Sequence, residues 1–176
     1  MNCNRKALVV GIDYYDAVCH LRGCVNDAKR MQSVLNRNED GSVNFAIKTM
    51  LASDKTTRIT RRQLKDAVEK LFSDDSEVAL LYVASHGYVD STGGYLVTSN
   101  VGAGDEGLSM DDVLNLANNS PAKSRVIILD CCHAGKMGNV ANLQNSAILN
   151  EGVTILAGST AEQNADEYGG FGVYTS

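Results

Sequence analysis

Four short runs along the chain, residues 7–12, 78–84, 126–129 and 153–157, are apolar without polar alternation. A strand with one wet face alternates. A run that stays apolar is what a strand covered on both faces of a parallel sheet requires. A fifth, weaker run at 45–51 reads as a further strand. Between these runs the period becomes helical. Ala28, Met31 and Leu35 fall at i, i+3, i+7, and Leu64, Ala67, Val68 and Leu71 at i, i+3, i+4, i+7, with Thr60 placed as an N-cap. Ser109, with Asp112 three positions on, resembles a capping box that opens a helix through Leu116. Strands alternating with helices predict an α/β fold with a mainly parallel sheet. No repeat or linker interrupts residues 1–176, so one domain is expected. Segment 90–107 is rich in Gly, Ser, Thr and Asn around a short strand at 95–98, and reads as a surface excursion rather than core.

Composition narrows the function classes. A net charge of −5 argues against nucleic acid and anionic membrane surfaces as partners, and leaves room for a cationic substrate or a metal cation. No stretch approaches the roughly 20 apolar residues of a membrane span. The N-terminal residues lack the apolar core of a signal peptide, so a cytoplasmic location is expected. Five cysteines, at 3, 19, 24, 131 and 132, are an odd number without a C-x-x-C pair, and read as thiols in a reducing compartment.

Candidate chemistry sits at two strand ends. Ser85-His86-Gly87 follows the second apolar run, and Asp130-Cys131-Cys132-His133-Ala134-Gly135 follows the third. In open α/β sheets, sites form at the carboxyl ends of strands. An imidazole beside a thiol favours the thiolate, the competent nucleophile. If the two strands are neighbours, roughly 4.8 Å apart, the side chains meet across the rim. The backbone N–H groups of Gly87 and Cys132 could then face a developing oxyanion. A lone histidine after a strand is also an ordinary structural residue, and a cysteine beside a strand an ordinary small hydrophobe. A zinc site from Cys131, Cys132, His133 and His86 lacks the usual two-residue spacer.

These two motifs, in this order, resemble those of caspase-like cysteine peptidases, in particular the metacaspase and prokaryotic orthocaspase branch. The resemblance extends to Ala7-Leu8-Val9-Val10-Gly11-Ile12-Asp13-Tyr14-Tyr15, to Leu21-Arg22-Gly23-Cys24-Val25-Asn26-Asp27-Ala28 and to residues 152–163, covering nearly the whole chain. It implies a three-layer α/β/α caspase-like fold and cleavage of peptide bonds by a Cys-His dyad. Cys132 would be the nucleophile, rather than Cys131, and His86 the general base. Asp27 and Asp130 would line the pocket for the residue before the scissile bond, with Cys24 as a further pocket residue. Two carboxylates suit a guanidinium or ammonium and repel an aspartate, so cleavage after Arg or Lys is expected. His20 and His133 read as loop residues.

The resemblance further implies that calcium activates the protein without entering the chemistry, with Asp111 and Asp112 as candidate ligands and Asp105 and Glu106 nearby; no run has the spacing of a dedicated calcium loop. The expected partner is a protein or peptide substrate with basic residues, and a monomer is expected. Two departures stand out. Where the family often has Ser-Gly-His-Gly, this chain has Ala84-Ser85-His86-Gly87, so Ala84 lacks a hydroxyl, and Ala134 replaces the family's serine after the cysteine. The chain also stops where relatives continue, which reads as a fragment or a processed large subunit. The alternative function is a catalytically silent caspase-like domain that signals or scaffolds; a small-ligand module is a third.

Overall fold

A computed structural model describes residues 4–102, 104–131 and 149–158, together with the backbone of 167–168 and 171–172. Its centre is a five-stranded parallel sheet in the order β2-β1-β3-β7-β8. The strands are β1 (Arg5–Ile12), β2 (Ala46–Ala52), β3 (Val78–Ser85), β7 (Ser124–Cys131) and β8 (Val153–Ala157). Helix α1 (Cys24–Asn36) covers one face; α2 (Arg61–Ser73) and α3 (Met110–Asn118) share the other. The predicted α/β sheet and its helices are thus present, in three layers. Among the described residues no helix is long and apolar enough to cross a membrane.

The unalternating runs become the central strands for the expected reason. From Ala7 to Ile12, β1 is buried, and β3 is buried from Ala79 to Ser85. Odd and even positions feed two cores. Val9, Leu80, Tyr82, Ala84 and Ile128 face α1, whereas Leu8, Leu81, Val83, Ile127 and Leu129 face α2 and α3. The outermost strand β8 departs from the expected burial. Among the described residues β8 pairs with β7 alone, and Thr154 and Leu156 on one of its faces are exposed.

The helix starts reveal what local sequence decides. Thr60 forms a full capping box with Gln63 at the head of α2. The box expected at Ser109 forms only in part. Ser109 Oγ accepts from the Asp111 amide at 3.2 Å, and the Asp112 carboxylate turns instead to Lys65 Nζ at 3.5 Å. Helix α1 starts earlier than its apolar spacing suggested, because its cap comes from elsewhere in the chain. Asp13 Oδ1, just past β1, accepts from the amides of Cys24 (2.9 Å) and Val25 (3.4 Å). Gly11 lets the two elements touch. A Cβ there would lie 2.4 Å from the Cys24 carbonyl oxygen and 2.7 Å from Ala28 Cβ.

The segment read as a surface excursion is in fact partly core. It forms a small antiparallel sheet of β4 (Gly87–Val89), β5 (Gly94–Leu96) and β6 (Leu108–Ser109). Leu96, Val97 and Leu108 are buried in the α2/α3 core. Thr98 and Ser99 are also inside, their polarity absorbed by local bonds: Ser99 Oγ accepts from the Ile59 amide at 3.0 Å, and Thr98 Oγ1 donates to Asn100 Oδ1 at 3.0 Å. A Gly- and Ser-rich composition here marks tight turns, not exposure.

Candidate active site

Strands β3 and β7 lie side by side, with Ala84 opposite Asp130 and Ser85 opposite Cys131. The sheet-neighbour condition for the two motifs is met. His86 is the first residue past β3, and Cys132, the first past β7, lies outside the described residues, as does His133.

The His86 ring is held on three sides. Its backbone amide donates to Tyr15 Oη at 2.8 Å, and Tyr15 Oη donates to the Ile12 carbonyl at 2.9 Å. The phenol ring of Tyr15 lies against the imidazole, with centroids 4.8 Å apart and planes tilted by 47°. Nε2 lies 2.8 Å from the carbonyl oxygen of Cys19. A carbonyl only accepts, so Nε2 carries the proton and Nδ1 is the basic nitrogen of the neutral ring. Tyr15 is itself buried, and burial above all, with the Cys24 thiol next, raises its pKa well above the ordinary tyrosine value. Its hydroxyl therefore keeps the proton it gives to Ile12.

The loop of residues 13–23 that carries Tyr15 and Cys19 is pinned at several points. The Leu21 amide returns to the Asp13 carbonyl at 2.9 Å, and the Asp16 amide reaches the Ser99 carbonyl at 2.7 Å. Arg58 pairs with Asp16 at 3.1 Å. His20 takes the Tyr15 amide on Nδ1 at 3.2 Å and stacks on Tyr14, which is the loop role expected of it.

The predicted pocket residues converge on the α1 face of the sheet edge. Asp130 and Asp27 are 6% and 2% exposed, and Cys24 is buried in the first turn of the same helix as Asp27. Tyr82 joins them. Its hydroxyl donates to Asp130 Oδ2 at 3.1 Å. Burial raises the Tyr82 pKa far above the ordinary value; the Asp130 carboxylate, then Asp27 and Cys24, add to the shift. Two buried carboxylates thus share one electrostatic neighbourhood, with Asp130 opposite Ala84, two residues before His86. Cys131 faces the opposite core and is 1% exposed, a packed thiol rather than a ligand. Cys19 is exposed and Cys24 buried. Gly87 opens β4 directly after the imidazole, opposite Leu96.

The acidic residues named for calcium do not gather into a cage. Asp112 is engaged by Lys65. Asp105 accepts from Asn100 Nδ2 at 3.3 Å and lies 3.8 Å from Arg61. Asp111 Oδ1 is a buried oxygen without a hydrogen-bond partner. Among the described residues no three His, Cys, Asp or Glu side chains meet closely enough to hold a metal ion.

The caspase domain profile matches residues 4–173. The chain belongs to the caspase-domain family. It is 32% identical over 155 residues to Metacaspase-6 of Arabidopsis thaliana, covering 80% of this chain and 40% of that protein. It is 29% identical to Metacaspase-4 of the same plant over 155 residues, covering 80% of this chain and 36% of that one. Metacaspase-1 of Debaryomyces hansenii is 32% identical over 120 residues, 64% of this chain and 25% of the relative. The chain thus spans two fifths or less of the length of these metacaspases.

Reading the caspase-domain sequence alone missed Tyr82 and the capping role of Asp13. The signal for Tyr82 was present: one hydroxyl within an otherwise apolar run must find a partner. The Cys19 carbonyl could not be foreseen, because a backbone atom leaves no mark on side-chain identity.

Proposed function

We propose that this caspase-domain protein is a cysteine endopeptidase that cleaves after Arg or Lys. The observation that carries the reading is the pair of buried carboxylates, Asp27 and Asp130, on the α1 face beside His86. A guanidinium or ammonium entering there exchanges water for charge-assisted hydrogen bonds, whereas an aspartate meets two like charges. His86 Nδ1 takes the proton of the Cys132 thiol, and the thiolate attacks the carbonyl carbon. The amides of Gly87 and Cys132 receive the oxyanion. The imidazolium then returns its proton to the leaving amine, and water hydrolyses the thioester with His86 again as base. Nε2, bonded to the Cys19 carbonyl, holds the ring orientation through both transfers. Calcium, in this reading, acts on the fold around Asp111 and takes no part in the chemistry.

The test is hydrolysis of fluorogenic peptides that differ only in Arg, Lys or Asp before the cleaved bond, with calcium and with chelator. Arg and Lys peptides are expected to be cleaved and Asp peptides not. Asp130→Asn and Asp27→Asn should each lower kcat/KM for the Arg peptide about 10–100-fold, the worth of one hydrogen bond to a charged group. Equal cleavage of the Asp peptide would overturn the specificity. Absence of all hydrolysis would favour the silent, scaffolding alternative.

A further inference from the structure

A cleft of about 460 Å³ opens on the other side of His86 from the acidic pair. Val18 and Cys19 from the connection after β1 and Val97 and Val101 from the segment after β5 line it, together with His86 and Tyr88. The acidic residues lie on the α1 face, in the core of Tyr82, Ala84 and Ile128. Val97 belongs to the core on the opposite face. His86 thus stands at the strand end between a buried acidic pair and an open, mainly apolar cleft.

The geometry points to this cleft as the subsite for the residue that follows the scissile bond, selecting an aliphatic or aromatic side chain there. The inference rests on the peptidase reading above. A histidine that protonates a leaving amine must reach its nitrogen, so the residue bearing that nitrogen lies against the imidazole. The residue on the acyl side has its cationic chain among the carboxylates. Its neighbour across the bond is directed to the other flank of His86, where the cleft begins. Val18 is 42% exposed, so an entering apolar chain would cover surface that now faces water. An acidic side chain in the same place would lose its hydration without a partner: Asp105 and Glu106 edge the cleft, and like charges repel.

The pinning of both walls makes the recess preformed. The Asp16 amide bonds to the Ser99 carbonyl at 2.7 Å and the Ser99 amide to the Ile59 carbonyl at 2.9 Å, tying the loop of Val18 to the segment between Val97 and Val101. The Val97 amide donates to the His86 carbonyl at 3.0 Å, so wall and catalytic backbone are one unit. A preformed apolar recess binds without an ordering cost.

A peptide series with Arg before the bond and Leu, Phe, Ser or Asp after it, with donor and quencher at the far ends, measures this directly. The wild-type chain is expected to show kcat/KM at least about tenfold higher for Leu and Phe than for Asp. Val18→Lys and Val101→Lys, both on loop positions with melting midpoints checked, should bring that ratio close to one by accepting the aspartate. Equal rates across the wild-type series, or an unchanged ratio in both folded variants, would overturn the subsite while leaving cleavage after Arg intact. Failure to cleave any member, with the Arg and Lys reporters also uncut, would overturn the parent reading and this inference with it.

Discussion

His86→Ala is expected to lower kcat/KM for an Arg peptide about 10²–10⁴-fold, the range for a lost general acid–base. The melting midpoint should change little, because the ring is half-buried and its amide, which bonds to Tyr15, is kept. Cys132→Ala should abolish turnover. Tyr15→Phe is the more discriminating companion. It retains the ring against the imidazole and removes the hydroxyl that joins the His86 amide to the Ile12 carbonyl. One hydrogen bond of about 1 kcal/mol in positioning predicts a fall of roughly fivefold in kcat with KM unchanged. Steady-state kinetics across a pH series would check both. His86→Ala retaining more than about a tenth of wild-type kcat/KM would remove the histidine from the chemistry.

The second large effect concerns stability. Arg125 is 8% exposed at the start of β7 and gives its guanidinium to four carbonyls: Ala117 (3.2 Å), Ala122 (2.9 Å), Lys123 (3.3 Å) and Glu151 (2.9 Å). Ala117 is in the last turn of α3, where carbonyls lack helical partners and a cation is favourable. The side chain therefore ties the end of α3 to the entries of β7 and β8. Gly152 makes room for it: a Cβ there would lie 3.1 Å from the guanidinium and 2.8 Å from the Lys123 carbonyl oxygen. Arg125→Ala removes a charged donor from four carbonyls, two of the bonds buried and two partly so, and is expected to cost about 3–5 kcal/mol, because each lost bond involves a charged donor. For a chain of this size that is a drop of roughly 6–20 °C in melting midpoint. Arg125→Lys should recover only part of it, since an ammonium lacks the fork that reaches several acceptors at once. Calorimetric or denaturant melts would show it, and a loss under about 1 kcal/mol for the alanine variant would refute the role.

How much of this was legible in the chain depended on whether side chains or backbone carry the feature. The central strands were readable because Ala7 to Ile12 and Val78 to Ala84 are covered on both faces, and burial on both faces erases alternation. The same run at β8 misled about burial, since an edge strand can be as apolar in sequence as a central one. The motifs placed His86 and Asp130 at adjacent strand ends, and the register fulfilled that. Asp27 came from resemblance, and its burial beside Tyr82 and Asp130 depends on how closely α1 can approach β1 at Gly11, a tertiary fact. The turn-rich stretch before α3 hid core residues such as Leu96 and Leu108, because turn chemistry and burial are independent when the turns are short. The partners of Arg125 are carbonyls, and backbone acceptors leave no mark in the sequence.

The eleven or so residues joining β1 to α1 serve both halves of the site. Asp13 at one end sets where α1 begins, and thereby where Asp27 stands. Tyr15 and Cys19 in the middle hold the imidazole. In the proposed peptidase, recognition and proton transfer would share one mechanical support. An insertion in that connection would not retune the preferred residue alone: by moving α1 it would also turn the base, so charge preference and turnover would be traded together. Specificity redesign would do better through the β7 end, at Asp130, whose carboxylate accepts from Tyr82 of β3.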